Sequence, residues 1–385
     1  MQNLYRLCLI FSCLGLAANA LDLELDGSFK SIMTHQRLRQ IGVFPYDDSL
    51  VAEQRLRLKG SFTHSWLYLE VAKEASLNFR QPYRPTPAAN QFAPESAWPA
   101  RWVAIDEDNY QFIHRFDRLF AQLSFDSLQI TIGKQAVSEG VGKIFNAVSQ
   151  VPRQPLVLVD PEWSRPEDAL SLVWNGPFTI ETRYLPRTAT QRKDNFHLRA
   201  KGTSSTGYDI ALTTGKSDDK PYVGVETAGN LGESLLYAEL VGYEQLGTDY
   251  LQWLIGLDHA ISSKLRITLE AFYNGFGAVE KPYLFSAALH RSTPFRGRWY
   301  GGMVASWEAT ERLRITQWVV VNCADISSLW HLYSSYSLSN NTEFLLGQFL
   351  SVGDSRSEFG GKLPIIAGAE IGVPDLTYAA FKWYF

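Results

Sequence analysis

Beyond its first twenty residues the chain is written in segments of about ten residues in which apolar and polar side chains alternate, a period of two that calls for β-strands with unlike faces. Leu119, Ala121, Leu123 and Phe125 share one face, while Arg118, Gln122 and Ser124 share the other. Leu265, Ile267 and Leu269 alternate with Lys264, Arg266, Thr268 and Glu270 in the same way. Successive side chains of a strand point to opposite sides, so each segment needs one apolar and one wet neighbour. About eighteen such segments can be placed, with sixteen as the alternative count. They lie at 23–33, 54–63, 65–74, 116–125, 127–136, 168–175, 177–185, 194–202, 207–215, 220–229, 233–243, 249–260, 264–274, 297–308, 312–322, 327–337, 342–351 and 376–385. Past residue 20 there is no run of 18 apolar residues, which excludes helical membrane spans.

The connections follow a parity. Numbered from the first strand, the even ones are short, as at Asp126-Ser127 and Asn340-Asn341. The odd ones include every long segment: 34–53, 75–115, 137–167, 275–296 and 352–375. Short turns at one rim and long loops at the other are the habit of transmembrane barrels, and an even strand count returns the C-terminus to the side where the N-terminus began. In a bilayer every backbone polar group must be paired internally, so such a sheet must close. The sequence therefore predicts an all-β fold over residues 21–385: a transmembrane, antiparallel, up-and-down β-barrel, with its apolar stripe toward lipid and its polar stripe toward the lumen.

Residues 1–20 read as a signal peptide, with Arg6 before the apolar stretch Leu7–Leu16 and a small-x-small site at Ala18-Asn19-Ala20. Cleavage there removes Cys8 and Cys13 and leaves Cys323 with no disulfide partner. At the other end, Leu376–Phe385 places aromatic or apolar residues at alternate positions back from Phe385. This resembles the C-terminal signature by which bacterial outer-membrane barrels are received by the insertion machinery, which implies Phe385 as an assembly signal, that machinery as a partner, and an outer-membrane location. A second resemblance is carried by Ile130-Thr131-Ile132-Gly133-Lys134-Gln135, Gly140, Gly142 and Glu167-Asp168-Ala169-Leu170. It is similar to a segment of porin-like and alginate-export-like barrels: a strand ending Gly-Arg-Gln, a glycine-rich loop, and a strand opening with Asp. Lys134 stands here in place of the arginine.

Strand parity assigns Arg55, Arg57, Lys59, Arg118, Arg199, Lys201, Arg266, Arg312, Arg314 and Lys382 to the lumen as pore-lining cations. Arg55-x-Arg57-x-Lys59, Arg199-x-Lys201 and Arg312-x-Arg314 form local ladders, because residues two apart share a face. Charged ladders set selectivity in a pore. Acids assigned to the same face, among them Asp26, Glu226, Glu239, Asp258 and Glu270, nearly balance them, and the bland reading is that the cations pair with these neighbours. Of the long loops, 137–167 is expected to fold inward as a constriction, with Lys143, Arg153, Asp160, Glu162 and Arg165 as its charged residues. Loops of that length are usually functional or disordered.

The expected function is a porin-like channel for passive or facilitated diffusion of small hydrophilic solutes, anionic or sugar-like. A polysaccharide-export or surface-binding barrel is the alternative. A hydrolase is less favoured. Asp258 and His259 are adjacent but point to opposite faces, and no catalytic residues are assigned. No His/Cys set has metal-ligand spacing, and no cofactor is implied. A net charge of −4 carries no nucleic-acid footprint. The partners expected are outer-membrane lipid and small polar solutes, with monomer and homotrimer both open.

Overall fold

The structure is a computed structural model that describes residues 22–37, 40–41, 48–81, 97–98, 100–149, 159–160, 166–187, 193–217, 219–245, 248–280, 295–366 and 369–385. The expected signal peptide lies outside these residues. Eighteen strands build the wall. They are β1 (Asp22–Arg37), β2 (Asp48–His64), β3 (Leu67–Gln81), β4 (Tyr110–Phe125), β5 (Leu128–Ala136), β6 (Pro166–Asn175), β7 (Thr179–Leu185), β8 (Asn195–Thr203) and β9 (Asp209–Ser217). There follow β10 (Lys220–Leu231), β11 (Ser234–Gln245), β12 (Thr248–Ala260), β13 (Leu265–Asn274), β14 (Trp299–Glu308), β15 (Leu313–Asn322), β16 (Ser327–Ser339), β17 (Thr342–Val352) and β18 (Asp375–Tyr384). Each pairs antiparallel with the next in sequence, and β1 pairs with β18 from Ser28↔Tyr384 to Arg37↔Asp375. The sheet therefore closes and leaves no barrel edge, which satisfies the backbone in an apolar solvent.

The eighteen strands and the turn parity agree with the expectation. Two odd connections are shorter than the alternation suggests: β1 runs to Arg37, β2 begins at Asp48, β3 continues to Gln81 and β4 begins at Tyr110. The alternation marks only where the two faces meet different surroundings, whereas the hydrogen-bond ladder runs on past it. A further strand, Arg101–Asp106, pairs with β4 at Gln111–Arg115, beyond the point where β5 ends its own pairing. Gln40–Ile41, Leu363–Ile366 and Ala369–Ile371 form a small sheet over the long-loop rim.

Burial is inverted relative to a water-soluble domain. Leu25, Leu212, Val223 and Ile255 are more than half exposed, while Lys30, Glu239 and Gln252 on the opposite face are buried. Aromatic pairs mark both ends of the apolar belt: Trp66 on Phe125 at a short turn, and Trp253, Tyr273 and Trp299 clustered at the other end. Amphipathic rings collect at such interfaces.

The lumen departs from the expectation of a uniformly polar face. Tyr222, Tyr237, Val241, Leu254, Phe272, Tyr300, Val320 and Leu329, spread over β10–β16, form a buried apolar cluster with Ile144, Phe145, Ala147 and Val148 of the β5–β6 loop. Along β10–β16 the inner wall carries this apolar cluster among polar residues such as Glu239, Gln252 and Glu270, and the loop supplies the cluster with a partner.

Candidate functional site: the lumen wall and the inward loop

Near the end of β5, before the loop begins, Gly133 has a φ of +123°, which belongs to glycine. A Cβ there would collide with the Leu119 carbonyl oxygen. Past it, Lys134 and Asp168 form a 2.7 Å ion pair across β5 and β6, and Asp168 also accepts from the Trp98 backbone N–H at 2.6 Å. The Gln135 side chain donates to the Ala169 carbonyl at 2.9 Å and accepts from Ser171 Oγ at 3.1 Å. The residues that carry the family resemblance thus bind the two roots of the loop together. Glu139 continues this root, taking Arg183 at 2.8 Å.

Residues 139–149 then run along the inner wall of β11–β13. Four loop N–H groups donate to Glu239: Val141 and Gly142 to Oε1 at 2.6 and 2.8 Å, Ala147 and Val148 to Oε2 at 2.6 and 3.0 Å. Three more donate to Glu270, from Lys143 (2.6 Å), Ile144 (3.1 Å) and Phe145 (2.7 Å), and Tyr237 adds its hydroxyl at 2.7 Å. Asn146 closes the turn, donating to the Glu139 carbonyl at 2.5 Å and accepting from Ser149 N–H at 2.6 Å. Phe145 stacks on Phe272 with ring centroids 5.0 Å apart, and Gly302 leaves room for it.

The same loop reaches a second wall. Asp160, buried, meets Lys30 of β1 at 2.8 Å, Arg55 of β2 at 3.0 Å and Lys382 of β18 at 3.2 Å. Burial alone would raise this carboxyl, but Lys30, Lys382 and Arg55 outweigh it and hold it below the usual carboxylate range. Lys143 carries its ammonium to Asp258, which also holds Arg266 at 2.8 Å. Arg153, Glu162 and Arg165, expected in the same loop, lie outside the described residues.

The ten cations assigned to the lumen can be placed one by one. Arg55 bonds Glu53 as well as Asp160, and Arg57 and Arg118 share the buried Asp117 at 2.9 and 3.1 Å. Lys59 meets Asp26 at 2.9 Å, and Arg199 meets Glu226 at 2.5 Å and Glu181 at 3.2 Å. Lys201 meets Asp209, Arg314 meets Glu308, and Lys382 and Arg266 have the partners given above. Arg312 stands exposed in the turn before β15, at the rim and off the strand on which the periodicity places it. The Arg55-x-Arg57-x-Lys59 and Arg199-x-Lys201 ladders are thus neutralised locally, as is Arg314. The contrast is in exposure: the side chains of Lys30, Arg57 and Lys382 are almost fully buried, whereas those of Lys143 and Arg266 are 42% and 62% exposed around a single buried carboxylate.

Parity reasoning missed several partners. Asp117 belongs by alternation to the lipid face, yet a register shift opposite Ala72 and Lys73 turns it inward. The signal was the adjacent charged pair Asp117-Arg118 inside an alternating strand, as a bulge would require. Lys30 lies an even number of residues from Asp22, Glu24 and Asp26, and the same parity finds it. Glu358, which accepts from Arg296 N–H, Tyr300 and Asn322, has no such signature; burial pushes its carboxyl up. Asp258 and His259 form no dyad, His259 bonding instead to Ser234 at 3.0 Å. Phe385 exchanges backbone hydrogen bonds with Gly27 at 2.7 and 2.9 Å, and its ring lies where a Cβ of residue 27 would stand.

No family model matches the chain, and no curated protein sequence does. Solved structures do match over nearly the whole length. The outer membrane protein OprD from Pseudomonas aeruginosa matches with a TM-score of 0.57 at 9% identity, covering 96% of this chain and 95% of its own. OccAB3 from Acinetobacter baumannii gives 0.56 at 10% identity, covering 94% and 99%. A BenF-like porin from Pseudomonas fluorescens Pf-5 gives 0.57 at 9% identity, covering 94% and 98%. At such identities the likeness is one of fold: a closed, antiparallel, eighteen-strand β-barrel.

Proposed function

We propose that the chain is a porin-like channel of the bacterial outer membrane, passing small hydrophilic solutes by passive or facilitated diffusion, with the 137–165 loop as its constriction. The observation that carries this reading is the loop bound inside the barrel at two walls, on Glu239 and Glu270 at one and on Lys30, Arg55 and Lys382 at the other. Eighteen strands leave a lumen wide enough for water, and a loop inside it sets the usable width. The outward apolar belt, the signal-like N-terminus and the fold shared with an outer membrane protein and a BenF-like porin support the location.

Local pairing of the ladder cations favours sugar-like and other weakly charged solutes. The exposed Lys143–Arg266 pair adds a modest preference for anions at the constriction, since charge in a pore acts according to its access to the solute. The C-terminal strand ending in Phe385 serves as the assembly signal. Single-channel recording of the refolded protein in a planar bilayer tests the proposal. Steady openings with a small anion bias in reversal potential support it. A silent, correctly inserted barrel refutes the channel, and a strong cation preference refutes the solute class.

A further inference from the structure

Residues 139–149 have no helix or strand of their own to occupy their backbone donors, and buried N–H groups must be satisfied somewhere. Seven of them end on two wall carboxylates, four on Glu239 and three on Glu270. The two strands that carry these residues are separated only by β12, where Gly256 leaves space for the Tyr237 ring that braces Glu270. We infer that Glu239 and Glu270 are the positioning residues that fix the channel's aperture and place the Lys143 ammonium in it.

The inference rests on the channel reading and extends it from the loop to the residues that hold it. A carboxylate suits this task because both of its oxygens accept, and here each oxygen takes at least two donors. Glutamine has the same shape but replaces one oxygen with an NH2 group, so a donor would face donors. The clamp also governs charge. The Lys143 N–H is bonded to Glu270 while its side chain reaches Asp258, beside Arg266. Release from Glu270 frees the ammonium from this register, and with it the exposed cationic pair.

The test is Glu239→Gln and Glu270→Gln in the full-length mature chain, refolded into lipid and checked by heat-modifiable gel mobility for a closed barrel. Bilayer recording and trypsin treatment of the intact barrel are then compared with the parent. The expected result is loss of the parent's single uniform conductance level and new cleavage after Lys143. Ala147→Pro, which removes one donor to Glu239 and leaves every wall residue in place, gives the same readouts should the glutamine variants not close. Variants that keep the parental conductance and an uncut Lys143 overturn the clamp while leaving the channel standing. A silent parent overturns the channel, and the cleavage comparison still decides the clamp.

Discussion

Replacing Asp160 by asparagine removes the one carboxylate on which Lys30, Arg55 and Lys382 converge. Lys30 and Asp160 are 1% and 3% exposed, so solvent cannot take over the lost partner. Breaking a buried pair by deleting one member costs about 3–5 kcal/mol. Arg55 keeps Glu53 at 2.8 Å and Lys382 keeps Glu343 at 3.9 Å, which places the expected loss at the lower end, about 3 kcal/mol, or about two powers of ten in the equilibrium. Urea unfolding of the lipid-reconstituted barrel, followed by tryptophan fluorescence, measures it. The pH dependence gives an internal control. The folded-state carboxyl is depressed below its ordinary value of 3.8, so its stabilisation is present above that value and lost as pH falls through the lower folded one. The difference between parent and Asp160→Asn should therefore hold steady at neutral pH and close only in acid below 3.8. An unchanged midpoint at neutral pH, or a difference that disappears well above the carboxylate range, refutes the convergence of charges as the anchor of this limb.

Gly133→Val forces a β-branched residue to positive φ against the Leu119 carbonyl, and should lower the unfolding free energy by about 1–3 kcal/mol through backbone strain, with the contact at Leu119 adding to the loss. Gly302→Leu places a side chain where a Cβ already lies 2.8 Å from Phe145 and 2.9 Å from Ile144; overpacking of about 1–3 kcal/mol should appear in the same unfolding assay, with the barrel still closed. Lys143→Gln with Arg266→Gln removes the exposed cationic pair beside Asp258, and the reversal potential in a salt gradient should shift toward cations, whereas Arg57→Gln, buried on Asp117, should shift it less. Deletion of Phe385 removes both backbone bonds to Gly27 and the ring above it, and the yield of heat-modifiable barrel should fall relative to the parent under identical refolding.

Much of the fold was legible because lipid and water impose opposite demands on successive residues. Leu265, Ile267 and Leu269 against Arg266, Thr268 and Glu270 could serve only a two-faced wall, and short even turns fixed the direction of travel. Strand ends were less legible: β2 begins at Asp48, because its hydrogen bonds to β1 persist where the faces no longer differ. The site was legible in part. Alternation assigned Glu239 and Glu270 to the lumen as acids, but nothing local says that backbone donors from residues about a hundred positions away end on them. Alternation alone does not turn Asp117 inward, because one extra residue inverts parity and the shift shows only against its partner strand.

By itself, then, the sequence determined the two-faced strands, about eighteen or sixteen of them, their turn parity and the need for barrel closure, since each follows from a period of two and from local turn length. Only the tertiary structure decided that an apolar cluster lines the lumen along β10–β16, that nine of the ten assigned cations have carboxylate partners, and that one loop is held on two walls. Those outcomes depend on contacts between residues far apart in the chain. The periodicity reports only which side of the wall a residue faces, and the partner across the lumen is supplied by the closed barrel.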